Sequence, residues 1–173
     1  MDQAGAMDTE FFEINWTEDL ETGIDVLDEQ HRKYFDLLSN YFAKAVKVVK
    51  TSTSTEKVFE LAETLNFLCD YAKEHFSTEE AVMKEVAYTD YEQHKEEHLY
   101  FLKHVEELYN KMKTKGYSLQ LALEVDYYTA EWFVAHIRSS DMKLVQFLEQ
   151  KSTEDGSLTI FLKKIYESIR GQN

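Results

Sequence analysis

Apolar residues recur along most of this chain at alternating intervals of three and four, the spacing that keeps one stripe of a helix against a partner. Between about Asp25 and Lys50 the stripe runs His31, Phe35, Leu38, Phe42, Ala45 and Val49. A second, from about 55 to 85, runs Val58, Leu61, Leu65, Leu68, Ala72, His75, Glu79 and Val82. The third, from about 90 to 115, runs Tyr91, His94, His98, Phe101, Val105, Leu108 and Met112. A fourth starts near 119 with Ala122, Val125, Thr129, Trp132 and His136, and Leu144, Val145 and Leu148 extend it to about 151. Polar ring nitrogens and a carboxylate therefore stand on faces that otherwise read as core.

The breaks between the stripes have helix-end chemistry. The run TSTST at 51 to 55 holds Thr53 three residues before Glu56, and Thr89 stands three before Glu92, so each pair predicts a capping box. Gly116 predicts a helix stop with a left-handed residue, and Ser118 can cap the fourth helix. His75 with His98, and Glu79 with His94, are equidistant from position 86.5, inside the predicted turn from Val86 to Thr89. The midpoint of His31 and His75 is 53, and that of His98 and His136 is 117, both at breaks. Residues equidistant from a turn come level in an antiparallel hairpin. This register predicts an all-α fold, an antiparallel up-down-up-down four-helix bundle with its histidines at one level.

Residues 1–22 read as an N-terminal arm whose Phe11, Phe12 and Trp16 dock on the body, residues 23–151 as the bundle, and residues 152–173 as an additional C-terminal amphipathic helix. That last helix carries Leu158, Phe161, Leu162, Ile165, Tyr166 and Ile169 on one face. The face can pack back on the bundle, or residues 157–170 can meet a second copy or another protein partner.

Composition agrees with the helical reading, since proline is absent and only five glycines occur in 173 residues. A net charge of −14 argues against nucleic acid, whose phosphates need clustered Lys and Arg. No basic and apolar leader stands at the N-terminus, and no apolar run approaches the roughly 18 residues of a spanning helix, so no membrane association is expected. The single Cys69 forms no internal disulfide and fits a reducing, cytoplasmic setting.

The inward polar set is His31, His75, Glu79, His94, His98 and His136, with Asp141 close by. Five imidazoles at one level of a core need partners that the apolar stripes do not offer, and metal ions supply them. Seven ligands exceed what one ion accepts, whereas two ions sharing two carboxylates use them all. Five histidines then divide three and two, leaving one ion with an open position. Imidazole and carboxylate suit iron, manganese or zinc. Glu-x-x-His, the signature of oxidase-type di-iron bundles, does not occur, and a histidine-rich shell favours reversible binding over substrate oxidation. Asp141 is awkward: five residues after His136 it lies about 140° round an ideal helix. Either the helix is distorted there or the carboxylate reaches in sideways. His104 falls off the stripe and reads as a flanking residue.

With DEQH ending at His31, HFxxE at 75–79, HKEEH at 94–98 and WFVAHIRSSD at 132–141, the chain resembles the hemerythrin family over about residues 16–150. The resemblance implies a non-haem di-iron site with an oxo or hydroxo bridge as cofactor. It implies that His94, His98 and His136 hold one iron, His31 and His75 the other, and that Glu79 and Asp141 bridge them. Dioxygen would bind the less-coordinated iron as a hydroperoxide and leave again as dioxygen. Tyr34, Phe76, Trp132, Phe133 and Ile137 would form a dry oxygen pocket, the Tyr34 phenol being placed to hydrogen-bond the ligand. The expected function is an oxygen carrier, store or delivery protein rather than an enzyme. The alternatives are an oxygen or redox sensor signalling through the C-terminal helix and a di-iron peroxidase or oxidase.

Overall fold

A computed structural model describes residues 16–51, 55–116, 118–155, 160–164 and 167, and all regular structure among these residues is helical. The long helices are α1 (Asp25–Thr51), α2 (Thr55–Glu85), α3 (Tyr91–Lys115) and α4 (Leu119–His136), with α4 running through one wide turn, Ile137–Asp141, into α5 (Met142–Asp155). Each boundary lies within a few residues of the break read from the stripes. Helix α1 packs on α2, α2 on α3, α3 on α4 and α4 back on α1, which closes a ring of four. Because the connections are short, consecutive helices run antiparallel.

Among the residues whose side chains are described, the predicted stripes follow the buried faces. His31, Phe35, Leu38 and Ala45 on α1, Leu65, Leu68 and Ala72 on α2, Phe101, Val105, Leu108 and Met112 on α3, and Ala122 and Val125 on α4 are all removed from solvent. The apolar ones belong to one cluster on one side of the histidine level. A second cluster on the other side joins Ile24, Leu27, Val82, Met83, Val86 and Tyr88 to Leu144, Val145, Leu148 and Leu162. The polar level is thus closed off at both ends by apolar packing. Leu162 and Phe161 show that the last segment lies back against the bundle, while Leu158, Ile165, Tyr166 and Ile169 fall outside the described residues.

Helix ends account for the turns. Ser118 accepts a hydrogen bond from the Leu121 amide at 3.1 Å, the cap expected for α4. Gly116 ends α3 at φ 77° and ψ 178°, a region essentially reserved for glycine, so the stop is real but is not the left-handed helical conformation. The capping box of Thr89 and Glu92 is not formed. Helix α3 starts one residue later, Asp90 occupies the cap position without a side-chain bond, and the i to i+3 pair no longer straddles the helix start. The chain reverses instead through Ala87 at φ 52°, with the Tyr88 amide bonded to the Met83 carbonyl at 2.9 Å. The capping box read at Thr53 lies outside the described residues.

The described end of the N-terminal arm is docked, and it is not fully extended: Glu18–Leu20 forms one short 3-10 turn. Leu20 is buried, and the Trp16 ring lies 6.0 Å from both His31 and Phe35. Asp28 in the first turn of α1 reaches back to accept from the Thr22 amide and hydroxyl, each at 2.8 Å. Arg138 pairs with Asp19, tying the arm to the wide turn. Phe11 and Phe12 lie outside the described residues.

Candidate metal centre

The six residues singled out from the stripes and Asp141 meet inside the bundle. His31, His75, Glu79, His94, His98, His136 and Asp141 are at most 3% exposed, and the site is built from all four helices of the ring. His98 and His94 both face His136 at 3.0 Å between Nε2 atoms, while His31 faces His75 at 3.2 Å. The imidazoles therefore group three and two in space. Glu79 Oε2 lies 3.2 Å from His98 and 3.7 Å from both His94 and His75, touching both groups. Asp141 divides its oxygens: Oδ1 is 3.1 Å from His136 and 3.3 Å from His94, and Oδ2 is 3.4 Å from His31.

The awkward five-residue step is resolved by the backbone. Ile137–Asp141 is a π-helical turn, in which the Met142 amide reaches the carbonyl of Ile137, five residues back. One extra residue in the turn brings Asp141 round onto the face of His136. Such single wide turns are rare and concentrate at functional sites.

Each group that could hold a metal offers four donors: Glu79, His94, His98 and His136 in one, and His31, His75, Glu79 and Asp141 in the other. The hydrogen bonding fits a cation between them. His98 and His136 use Nδ1 towards Glu80 Oε1 at 3.4 Å and Glu97 Oε2 at 3.1 Å, and His75 uses Nδ1 towards Gln30 Oε1 at 3.1 Å. A carboxylate or carbonyl oxygen accepts, so those nitrogens carry the protons and the Nε2 lone pairs point inward. His98 and His136 then set two ring nitrogens against each other at 3.0 Å, an arrangement that a proton or a metal cation between them satisfies. Both carboxylate oxygens of Glu79 and of Asp141 are buried without a hydrogen bond of ordinary geometry. All donors are nitrogen or oxygen, as iron, manganese or zinc accept.

Electrostatics in the metal-free cluster set three of the histidines apart. Burial pushes His75 down to about 4, with Glu79 countering only part of the effect. At His94 burial also opposes charge, yet Asp141 and Glu79 outweigh it and raise it to about 9. His136 rises to about 10 against burial, through Asp141 and Glu97. Its hydrogen bond to Glu97, joined by one from Ser140, holds that carboxyl down at about 2 despite partial burial.

Around the ligands lie aromatic rings. Phe76 stacks on His98 at 4.0 Å and 7°, and Trp132 on His136 at 4.5 Å and 12°. Phe133 sits edge-on to His31 at 5.7 Å, and Tyr34 stacks on Phe133 at 3.8 Å. Ile137, Tyr34, Phe76 and Phe133 are buried, and Trp132 is half-buried. The Tyr34 hydroxyl is buried without a partner. His104 is half-buried beside Tyr128, away from the cluster, as its place off the stripe implied.

Sequence reasoning missed Gln30, Glu80 and Glu97. A signal existed: each is the immediate chain neighbour of a ligand, and on a helix the neighbouring position points sideways. Gln30 on α1 thereby reaches His75 on α2, Glu80 on α2 reaches His98 on α3, and Glu97 on α3 reaches His136 on α4.

Fold and site together define a four-helix bundle with a buried histidine and carboxylate cluster that could hold metal. The hemerythrin HHE cation binding domain matches residues 22–148, and the chain belongs to the hemerythrin family. It is 31% identical over 126 residues to a bacteriohemerythrin of Stenotrophomonas maltophilia, covering 73% of this chain and 75% of the relative. It is 28% identical to a bacteriohemerythrin of Clostridium acetobutylicum, covering 75% and 97% of the two chains. To a myohemerythrin of Theromyzon tessulatum it is 31% identical, covering 74% and 88%. Among the described residues no helix is long and apolar enough to cross a membrane.

Proposed function

We propose that this chain binds dioxygen reversibly at a non-haem di-iron centre, with His94, His98 and His136 on one iron, His31 and His75 on the other, and Glu79 and Asp141 between them. The observation that carries this reading is the spatial split of imidazoles into three and two, with Asp141 offering one oxygen to each group. The irons would supply the two electrons that hold dioxygen in reduced form and recover them on release.

The chain's own side chains make binding reversible. Phe133, edge-on to His31, walls the two-histidine end and keeps water from it, and Tyr34 backs it by stacking on its ring. Glu97, Glu80 and Gln30 fix the tautomers of three ligands. The role is carriage, storage or delivery of dioxygen.

Purified under air, the protein is expected to hold about two irons per chain and to show charge-transfer bands that vanish on reduction and return with oxygen. Zinc in their place, or no visible bands, overturns the reading.

A sensor function has one observation in its favour. Asp141 opens directly into α5, whose Leu144, Val145 and Leu148 share a cluster with Leu162. A shift at Asp141 would be passed to the last segment, and thence to a second copy or protein partner through residues 157–170. Identical amide exchange over 160–164 with and without oxygen removes this alternative.

A further inference from the structure

A line of rings leads from the centre to the surface. Trp132 lies flat on His136, with centroids 4.5 Å apart, and Phe101 lies 4.4 Å beyond it. Tyr128 stacks on Phe101 at 5.9 Å and 14°, His104 lies 3.8 Å from Tyr128, and Tyr100 lies nearly parallel to His104 at 6.5 Å. Tyr100 is 61% exposed, so the line ends in water.

We propose that this line carries oxidising equivalents out of the centre and that Tyr100 is where they discharge when the oxidised protein meets hydrogen peroxide; the proposal rests on the di-iron reading above. Each peroxide takes up two electrons and two protons and leaves as two waters. The electrons come from Trp132, the ring in face contact with a ligand, and are replaced from Tyr100. As each leaves Tyr100, the phenolic proton passes to water and a phenoxyl radical forms. A one-electron donor of the ascorbate or phenol class returns the hydrogen atom, twice per peroxide. The balance is one peroxide and two donor hydrogens giving two waters and two donor radicals.

Two physical properties select this route. A shell of five imidazoles and two carboxylates offers little negative charge to a more oxidised centre, so the oxidising equivalents move to electron-rich rings nearby. A phenol surrenders an electron readily only where it can also shed its proton. Tyr34, stacked on Phe133 beside the two-histidine end, is fully buried and its hydroxyl has no partner. Burial raises its pKa well above the ordinary phenol range, so it is no outlet. The Tyr128 hydroxyl is likewise buried and unpartnered, and its ring passes the electron without holding the radical. Tyr100 stands in solvent.

The test uses the full chain loaded with iron, its metal content and absorption recorded first, then oxidised and treated with hydrogen peroxide and a nitroso spin trap. Mass spectrometry of the digest locates the adduct. Tyr127, 63% exposed, takes no part in the line and serves as an internal reference. The adduct is expected on Tyr100 in preference to Tyr127, and Tyr128→Leu should abolish it while metal content and absorption stay unchanged. In Tyr100→Phe, electron paramagnetic resonance should show the phenoxyl signal replaced by a longer-lived indolyl signal from Trp132. Equal labelling of Tyr100 and Tyr127, equal labelling in the iron-free chain, labelling that survives Tyr128→Leu, or an unchanged phenoxyl signal in Tyr100→Phe overturns the proposal. A chain that takes up no iron overturns the di-iron reading itself, and the metal analysis shows this before peroxide is added.

Discussion

Asp141 stands 3.1 Å from His136, five residues before it, because the turn between them is π-helical. On an α-helical path the carboxylate would point about 140° away. With one oxygen towards each imidazole group, Asp141 can join the two halves of the centre, so Asp141→Ala should lower bound iron per chain more than it lowers helix content. Metal analysis beside circular dichroism checks this; full iron occupancy in the variant would remove Asp141 from the ligand set.

Glu97 holds the outer nitrogen of His136 and is itself held by Ser140 Oγ at 2.5 Å. Partners of this kind set ligand tautomer and basicity, and their loss typically weakens metal binding roughly 10–100-fold. Glu97→Gln should fall in that range in competition with a chelator.

Metal-free protein should depend on pH in a definite direction. His94 and His136 have folded values raised to about 9 and about 10, above the ordinary 6.5. Their contribution to stability is fully present below that ordinary value and is lost as pH rises through the folded ones. Urea midpoints of chelator-treated protein should therefore fall between neutral and alkaline pH. Loading with metal at neutral pH should also release protons, because the same nitrogens must be deprotonated to bind. A pH-stat titration measures the release.

The α3–α4 turn rests on Gly116 and Ser118. Nothing stands within 4 Å of a Cβ at Gly116, so Gly116→Ala acts through its positive φ alone and should cost about 1–3 kcal/mol. Ser118→Ala removes the bond to Leu121 and should cost about 1 kcal/mol. Denaturant unfolding of the two variants checks both.

Tyr34→Phe deletes a buried hydroxyl that has no partner within the chain. Relieving such a group should leave the metal-free protein as stable or more so, by up to about 1–3 kcal/mol. Urea unfolding of the chelator-treated variant beside the unchanged protein measures it.

The sequence by itself determined the helices and the level of the site. Period fixes which face of a helix is buried, and position relative to a turn fixes height in an antiparallel hairpin, so His31, His75, Glu79, His94, His98 and His136 could be placed together from spacing alone. Helix starts were legible only within a residue, which is why Ser118 caps as expected while the Thr89 and Glu92 pair does not. Tertiary structure decided the rest. The π turn that brings Asp141 inward follows no local propensity, since Ile-Arg-Ser-Ser-Asp can also form an α-helix, and it is packing and the pull of facing imidazoles that stabilise the wide turn. The outer partners Gln30, Glu80 and Glu97 each act across to a neighbouring helix, a relationship set by how helices are rotated against one another. The same holds for the ring line from His136 to Tyr100, because ring overlap depends on side-chain angles and interhelical distance, which no one-dimensional spacing encodes.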